Sequence, residues 1–207
     1  LNSLEKSEKA IKTLKEALIE LTKEKRERKE KKGIKNIDIK AMITGVPNVG
    51  KSTFINSIAR ERVTKTGNKP GVTRGKQWIN LGDSINLLDT PGMLWPKFEN
   101  PHIGFVLAVT GSVKDEVVDL DDLAFHLIAF LKKEYPELLI KRYDLEKEDM
   151  DSETIDIMEK MASNRGCIQR GNKVDYTRIA NILIKEFRSG TLGKISLERP
   201  SDFYGKE

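Results

Sequence analysis

One octapeptide constrains this 207-residue chain more than any other feature. Gly45-Val46-Pro47-Asn48-Val49-Gly50-Lys51-Ser52 fits G-x-x-x-x-G-K-[S/T], the phosphate-loop pattern. Ile37–Thr44 before it alternates and is β-branched, which predicts a strand. A helix is predicted from Lys51 to about Arg60. In that setting, small residues let backbone N–H groups curl round a phosphate, and the helix presents its positive N-terminus to it. Lys51 would reach the β/γ oxygens of a bound nucleotide and Ser52 would ligate Mg²⁺. Gly45, Pro47, Asn48, Val49, Gly50 and Thr53 would complete the cradle. The expected fold is therefore α/β, of the P-loop NTPase kind.

Two further pieces follow in order. Pro70-Gly71-Val72-Thr73 lies in a loop rich in Gly, Thr, Asn and Pro, with Thr73 22 residues after Lys51. The Thr73 hydroxyl can complete a Mg²⁺ shell and register a γ-phosphate. Asp89-Thr90-Pro91-Gly92 ends the apolar stretch Ile85–Leu88, with Asp89 37 residues after Ser52. Asp89 can hold Mg²⁺ through water, and the Gly92 N–H can meet the γ-phosphate. Lys51, Thr73 and Asp89 are thus the expected catalytic set of a nucleotide switch that uses GTP and GDP. Where Ras-like GTPases place a water-orienting glutamine, this chain has Met93, whose thioether cannot orient water. The catalytic device is then expected to come from elsewhere, or hydrolysis to be slow until a partner engages. Asn48 has two readings: its carbonyl faces a monovalent cation bridging the phosphates, or it caps the turn.

The rest of the chain reads as three parts. Residues 1–34 form a basic helix and linker, with Leu4, Ile11, Leu14, Leu18 and Leu21 at helical spacing until Gly33 stops it. Residues 35–112 carry the phosphate and switch motifs, with strands at Gln77–Leu81 and Ile85–Leu88 joined by Gly82-Asp83. Residues 113–207 read as helical, at Leu120–Lys133, Ser152–Ser163 and Tyr176–Phe187. Residues 1–35 hold 12 Lys/Arg against 7 Asp/Glu, which accounts for the whole net charge of +5. The run Lys23–Lys32 can therefore sit beside phosphate backbones or form a solvated helix of i,i+4 pairs. No run approaches the roughly 18 apolar residues of a membrane span. The one cysteine, Cys167, excludes a disulfide scaffold and suits a reducing cytoplasm. Trp95 and Phe98 are interface or stacking candidates, whereas Trp78 is expected to be packed.

Asn172-Lys173-Val174-Asp175 spells the guanine-reading N-K-x-D, but it begins 80 residues beyond Gly92. It follows no apolar strand and leads into an amphipathic helix with Ile179, Ile182, Leu183 and Phe187. It is expected to be a helix start. The motif order makes sense if it is rotated, with the guanine motif upstream of the phosphate loop. Leu1-Asn2-Ser3, the basic helix, the phosphate loop, Lys65–Thr73, Leu87-Leu88-Asp89-Thr90-Pro91-Gly92-Met93-Leu94-Trp95-Pro96-Lys97-Phe98 and Ala108–Asp115 together resemble the YlqF family of circularly permuted GTPases. The resemblance spans nearly the whole chain.

What the resemblance implies is a GTPase that couples its nucleotide state to late assembly of the large (50S) ribosomal subunit. It would be cytoplasmic, use Mg²⁺ at Ser52, Thr73 and Asp89, and use K⁺ at Asn48. Its helical part would contact 23S rRNA, with no membrane partner and as a monomer. The family's N-K-x-D and the segment with its proposed catalytic histidine are not found in this sequence, so it reads as a fragment whose own activity is in question. Of the two histidines, His102 is expected in a loop and His126 in a helix. Two alternatives stay open. One is a conventional-order GTPase in tRNA modification or transport using Asn172–Asp175. The other is a non-hydrolysing RNA-binding module.

Overall fold

The computed structural model describes residues 3–35, 37–59, 75–94 and 100–199. The chain divides into two compact units, residues 1–96 and 97–207. The expected stretches Thr64–Gly75, apart from Gly75, and Trp95–Phe98 lie outside the described residues.

In the first unit, helix α1 (Ser3–Glu30) precedes β1 (Ile39–Ile43), α2 (Lys51–Ala59), β2 (Gln77–Asn80) and β3 (Ile85–Asp89). Helix α1 ends where Gly33 takes a positive φ of 76°. There Ile34 N–H donates to Lys29 O and Gly33 N–H to Glu30 O, the paired bonds of a Schellman stop. The sheet order is β1-β3-β2, with β1 parallel and β2 antiparallel to β3. The β2–β3 hairpin turns at Gly82-Asp83 as its sequence predicts, and Lys15 of α1 donates to Leu81 O and pairs with Asp83.

One sheet face is dry. Ile39, Ile79, Ile85 and Leu87 join Ile55 and Ile58 of α2 in a buried cluster, against which Ile11, Leu14 and Leu18 of α1 pack. Residues 1–34 are therefore no separate linker, because the first half of α1 belongs to this core. Leu21, which continues the same helical spacing, is 83% exposed because α1 has run past the sheet by then. The opposite face carries Met42, Leu88 and Trp78 in one cross-strand row. Trp78 is 53% exposed with the Lys40 ammonium 5.7 Å from its ring centre, so the expectation of a packed indole is corrected. Its position on the strand points it away from the helices.

The second unit holds α3 (Pro101–Val109), α4 (Leu120–Glu134), α5 (Pro136–Tyr143), α6 (Thr154–Asn164), a hairpin of β4 (Ile168–Gln169) and β5 (Lys173–Val174), and α7 (Tyr176–Arg188). Helix α4 is central, packed on α7, α6 and α5 through Leu123, Leu127, Ile128 and Leu131. The boundary expected near residue 112 falls earlier, because α3 belongs here. Ala108 and Val109 are buried in the helical core, and the Arg188 guanidinium donates to both their carbonyls while pairing with Asp115. His102 lies in α3 rather than in a loop, while His126 is in α4 as expected. No described helix is long and apolar enough to cross a membrane.

A candidate nucleotide-phosphate site

The parallel pairing sets Ile43 opposite Asp89, so the loop after β1 and the segment after β3 leave the same end of the sheet. Such strand ends are where open α/β sheets bind ligands. Thr90 fastens the two together: its buried hydroxyl donates to Ile43 O at 2.7 Å. Nothing in the local sequence marks this bond, since its partner lies on another strand.

The phosphate loop then turns tightly into α2. Asn48 is left-handed, with φ 59°, a conformation Asn tolerates better than most residues. Gly50 has φ 89°, which a side chain rarely permits. Phe54 N–H donates to Gly50 O as the helix begins, and buried Ile55 and Ile58 anchor α2 on the sheet. The Lys51 ammonium folds back over the loop, donating to Gly45 O at 3.1 Å and Val46 O at 2.6 Å. Pro47 and Val49 lie between these anchors, Val49 exposed.

Asp89 and Gly92 come to the same loop. A Cβ on Gly92 would stand 2.6 Å from both Cα and N of Pro47 and 3.0 Å from Lys51 Nζ, so glycine alone fits this approach. Met93 N–H donates to Gly45 O at 3.3 Å, leaving the thioether 69% exposed. Asp89 is buried, and neither carboxylate oxygen has a hydrogen-bond partner of ordinary geometry. Burial pushes its pKa up; the Lys51 charge, the Thr90 amide and the nearby Ser52 hydroxyl pull the other way. Burial also lowers the Lys51 pKa, with the Asp89 charge opposing. A buried carboxylate this weakly satisfied is costly, and a hydrated divalent cation beside Ser52 would offset that cost. Lys51, Ser52, Asp89 and Gly92 thus converge as the motifs predict; Thr73 lies outside the described residues.

Asn172–Asp175 lies in the second unit, where local structure takes it up. Asn172 is left-handed at a hairpin tip, Lys173 and Val174 form β5, and Asp175 caps α7 by accepting from Arg178 N–H at 3.0 Å. An aspartate that caps a helix has its acceptor committed to the backbone. Asp175→Asn, an equally good cap, should leave nucleotide preference unchanged. Asp175→Ala should cost about 1 kcal/mol of stability and still leave the GTP-over-ATP ratio unaltered. Competition binding alongside thermal unfolding measures both, and a shift toward xanthine nucleotides in the Asn variant would reinstate the motif.

Residues 40–168 match the family described as 50S ribosome-binding GTPase. Ribosome biogenesis GTPase A of Bacillus cereus is 43% identical over 171 residues, covering 83% of this chain and 57% of that protein. Mitochondrial ribosome-associated GTPase 1 of Ictalurus punctatus is 35% identical, over 76% of this chain and 54% of its own length. The chain thus spans little more than half of these relatives. Among solved structures, GNP-bound YlqF from T. maritima aligns with a TM-score of 0.52 at 26% identity, over 83% of this chain and 63% of that one. A GDP-bound YlqF structure aligns with a TM-score of 0.53 at 25% identity, over 84% of this chain and 65% of that one. With its phosphate loop and its Asp-x-x-Gly segment at one sheet end, and with this breadth of likeness, the chain belongs to the ribosome biogenesis GTPase A (YlqF) family of P-loop GTPases.

Proposed function

We propose that this chain carries the phosphate-binding and switch machinery of a GTPase that assembles the large ribosomal subunit and couples its GTP state to contact with 23S rRNA. The observation that carries the reading is the close approach of Gly92 and Asp89 to the Lys51 loop, since a γ-phosphate there would touch both segments. Ser52, Thr73 and Asp89 would hold Mg²⁺, whose charge offsets that of the phosphates. Asn48 would face K⁺. The guanine-reading group belongs upstream of the phosphate loop, in permuted order; Asp175, committed to a helix, favours that order over a conventional one. The protein acts in the cytoplasm as a monomer.

Met93 stands where a glutamine would orient water and its thioether cannot do so, so intrinsic turnover is slow and the subunit completes the site. The protein should co-sediment with large subunits when loaded with a non-hydrolysable GTP analogue and bind them more weakly with GDP, and subunits should raise its GTPase rate. Association indifferent to nucleotide, with no stimulation, would remove the ribosomal part of the reading and leave the phosphate chemistry.

The cation is tested separately. Turnover should be faster in K⁺ than in Na⁺, because a cation between the phosphates places positive charge where the transition state spreads negative charge. Asn48→Ala should erase the difference. Equal rates in the two salts would leave Asn48 as a turn residue.

A further inference from the structure

The helical unit carries net negative charge. Residues 97–207 carry 17 Lys/Arg against 21 Asp/Glu, yet residues 165–178 carry four against one. That stretch is the β4–β5 hairpin and its flanks. Ile168 pairs with Val174 and Gln169 with Lys173. Val174 packs on the helical core, so the alternate pair, Gln169 and Lys173, faces outward. The tip, Arg170-Gly171-Asn172, is exposed, with Gly171 at φ 81° and Asn172 at φ 60°.

The side chains differ in what they already do. Arg165 is taken up by Glu186 and lies over the Tyr143 ring. Arg178 donates to Gly166 O and remains exposed. Arg170 and Lys173 are exposed and form no ion pair among the described residues. The single acid of the stretch, Asp175, is engaged as the cap of α7. The hairpin therefore projects uncompensated positive charge, with amide side chains at Gln169 and Asn172, from a unit that is otherwise net negative.

We propose that the β4–β5 hairpin, with the first turn of α7, is the surface through which the helical unit grips RNA, by phosphate contacts from Arg170, Lys173 and Arg178. This rests on the ribosomal reading above and names the part of the unit that meets the nucleic acid. Over the rest of the described unit carboxylates outnumber basic groups, whereas a backbone phosphate at the hairpin meets exposed ammonium and guanidinium groups and releases counterions. Phosphate contacts of this kind position a protein without reading base sequence.

The test compares the whole protein with Arg170→Gln/Lys173→Gln, two positions whose side chains hold nothing within the fold. Lys114→Gln/Lys141→Gln, also exposed and in the same unit, serves as the charge-matched control. Binding is measured to a fluorescein-labelled RNA stem-loop over a salt series, and to purified large subunits by sedimentation. The hairpin variant should bind the stem-loop about ten-fold more weakly at low salt, and its log–log salt slope should fall by about 2. Its subunit association should fall in parallel, and the control should behave as wild type. Equal losses in variant and control, or wild-type RNA binding by the hairpin variant, would overturn the inference. Loss of subunit binding with RNA binding intact would also overturn it, pointing to a ribosomal protein as the partner. Hairpin-dependent RNA binding in a protein that never associates with subunits would uphold the hairpin and sink the ribosomal reading.

Discussion

Lys51→Ala should abolish tight GTP binding. The ammonium stands over the loop where Gly45 and Val46 carbonyls hold it, within reach of the Gly92 backbone, and it is the positive side chain built into the turn. Removing it takes away charge-assisted bonds to the phosphates worth about 3 kcal/mol, or roughly two orders of magnitude in affinity. Ser52→Ala should retain part of the binding but lose Mg²⁺-dependent hydrolysis, because the loop and the lysine remain. Titration with a fluorescent GTP analogue, followed by phosphate release with and without Mg²⁺, separates the two. Wild-type affinity and turnover in both variants would place the nucleotide elsewhere.

The second large effect is expected in the helical unit. Glu186 of α7 gathers the helical unit: it accepts from Arg142, from the Tyr143 hydroxyl at 2.9 Å and from Arg165 at 2.6 Å. Its side chain is only 13% exposed. Burial pushes its pKa up, but the Arg142 and Tyr143 bonds and the two guanidinium charges outweigh that and hold it below the usual carboxylate range. Glu186→Ala would strand two arginines and a buried hydroxyl, at a cost of about 3 kcal/mol. For a unit of this size that lowers the melting temperature by more than about 12 °C. Since the folded pKa is depressed, the stabilisation is complete above the ordinary carboxylate pKa and is lost as pH falls through the folded value. Wild-type stability should therefore sag in acid, and Glu186→Gln should be less stable at neutral pH without that part of the sag. Denaturation followed by helical circular dichroism across pH reads both; a variant within 1 kcal/mol of wild type at neutral pH would reduce the cluster to surface decoration.

The elements legible in the sequence are those whose pattern is local. Strand, Gly-rich turn and helix around Lys51, the Gly82-Asp83 hairpin, and helices α4, α6 and α7 each follow from a period or a breaker within a dozen residues. Helix α3 escapes this reading because Pro101–Val109 is apolar almost all round, so no face stands out. The second-unit hairpin has strands of two residues, too short for alternation to register. Helix α5 begins at Pro136, which reads as a stop from one side and as a first helical turn from the other. At the site, the convergence of Lys51, Asp89 and Gly92 was legible from motif order alone. The Thr90 hydroxyl bond and the burial of the Asp89 carboxylate were not, because both depend on which strands pair and on what covers them.

The exposed indole on the uncovered sheet face makes the first unit its own optical instrument. Trp78 is half in water with an ammonium against its ring, so its emission reports solvent polarity and local charge together. Any segment, subunit or nucleic acid that covers the Met42–Leu88–Trp78 row must dry that ring and disturb the lysine. The emission should then move to shorter wavelength. With Trp95 replaced by Phe, a single unlabelled fluorophore would follow the covering of that face in real time.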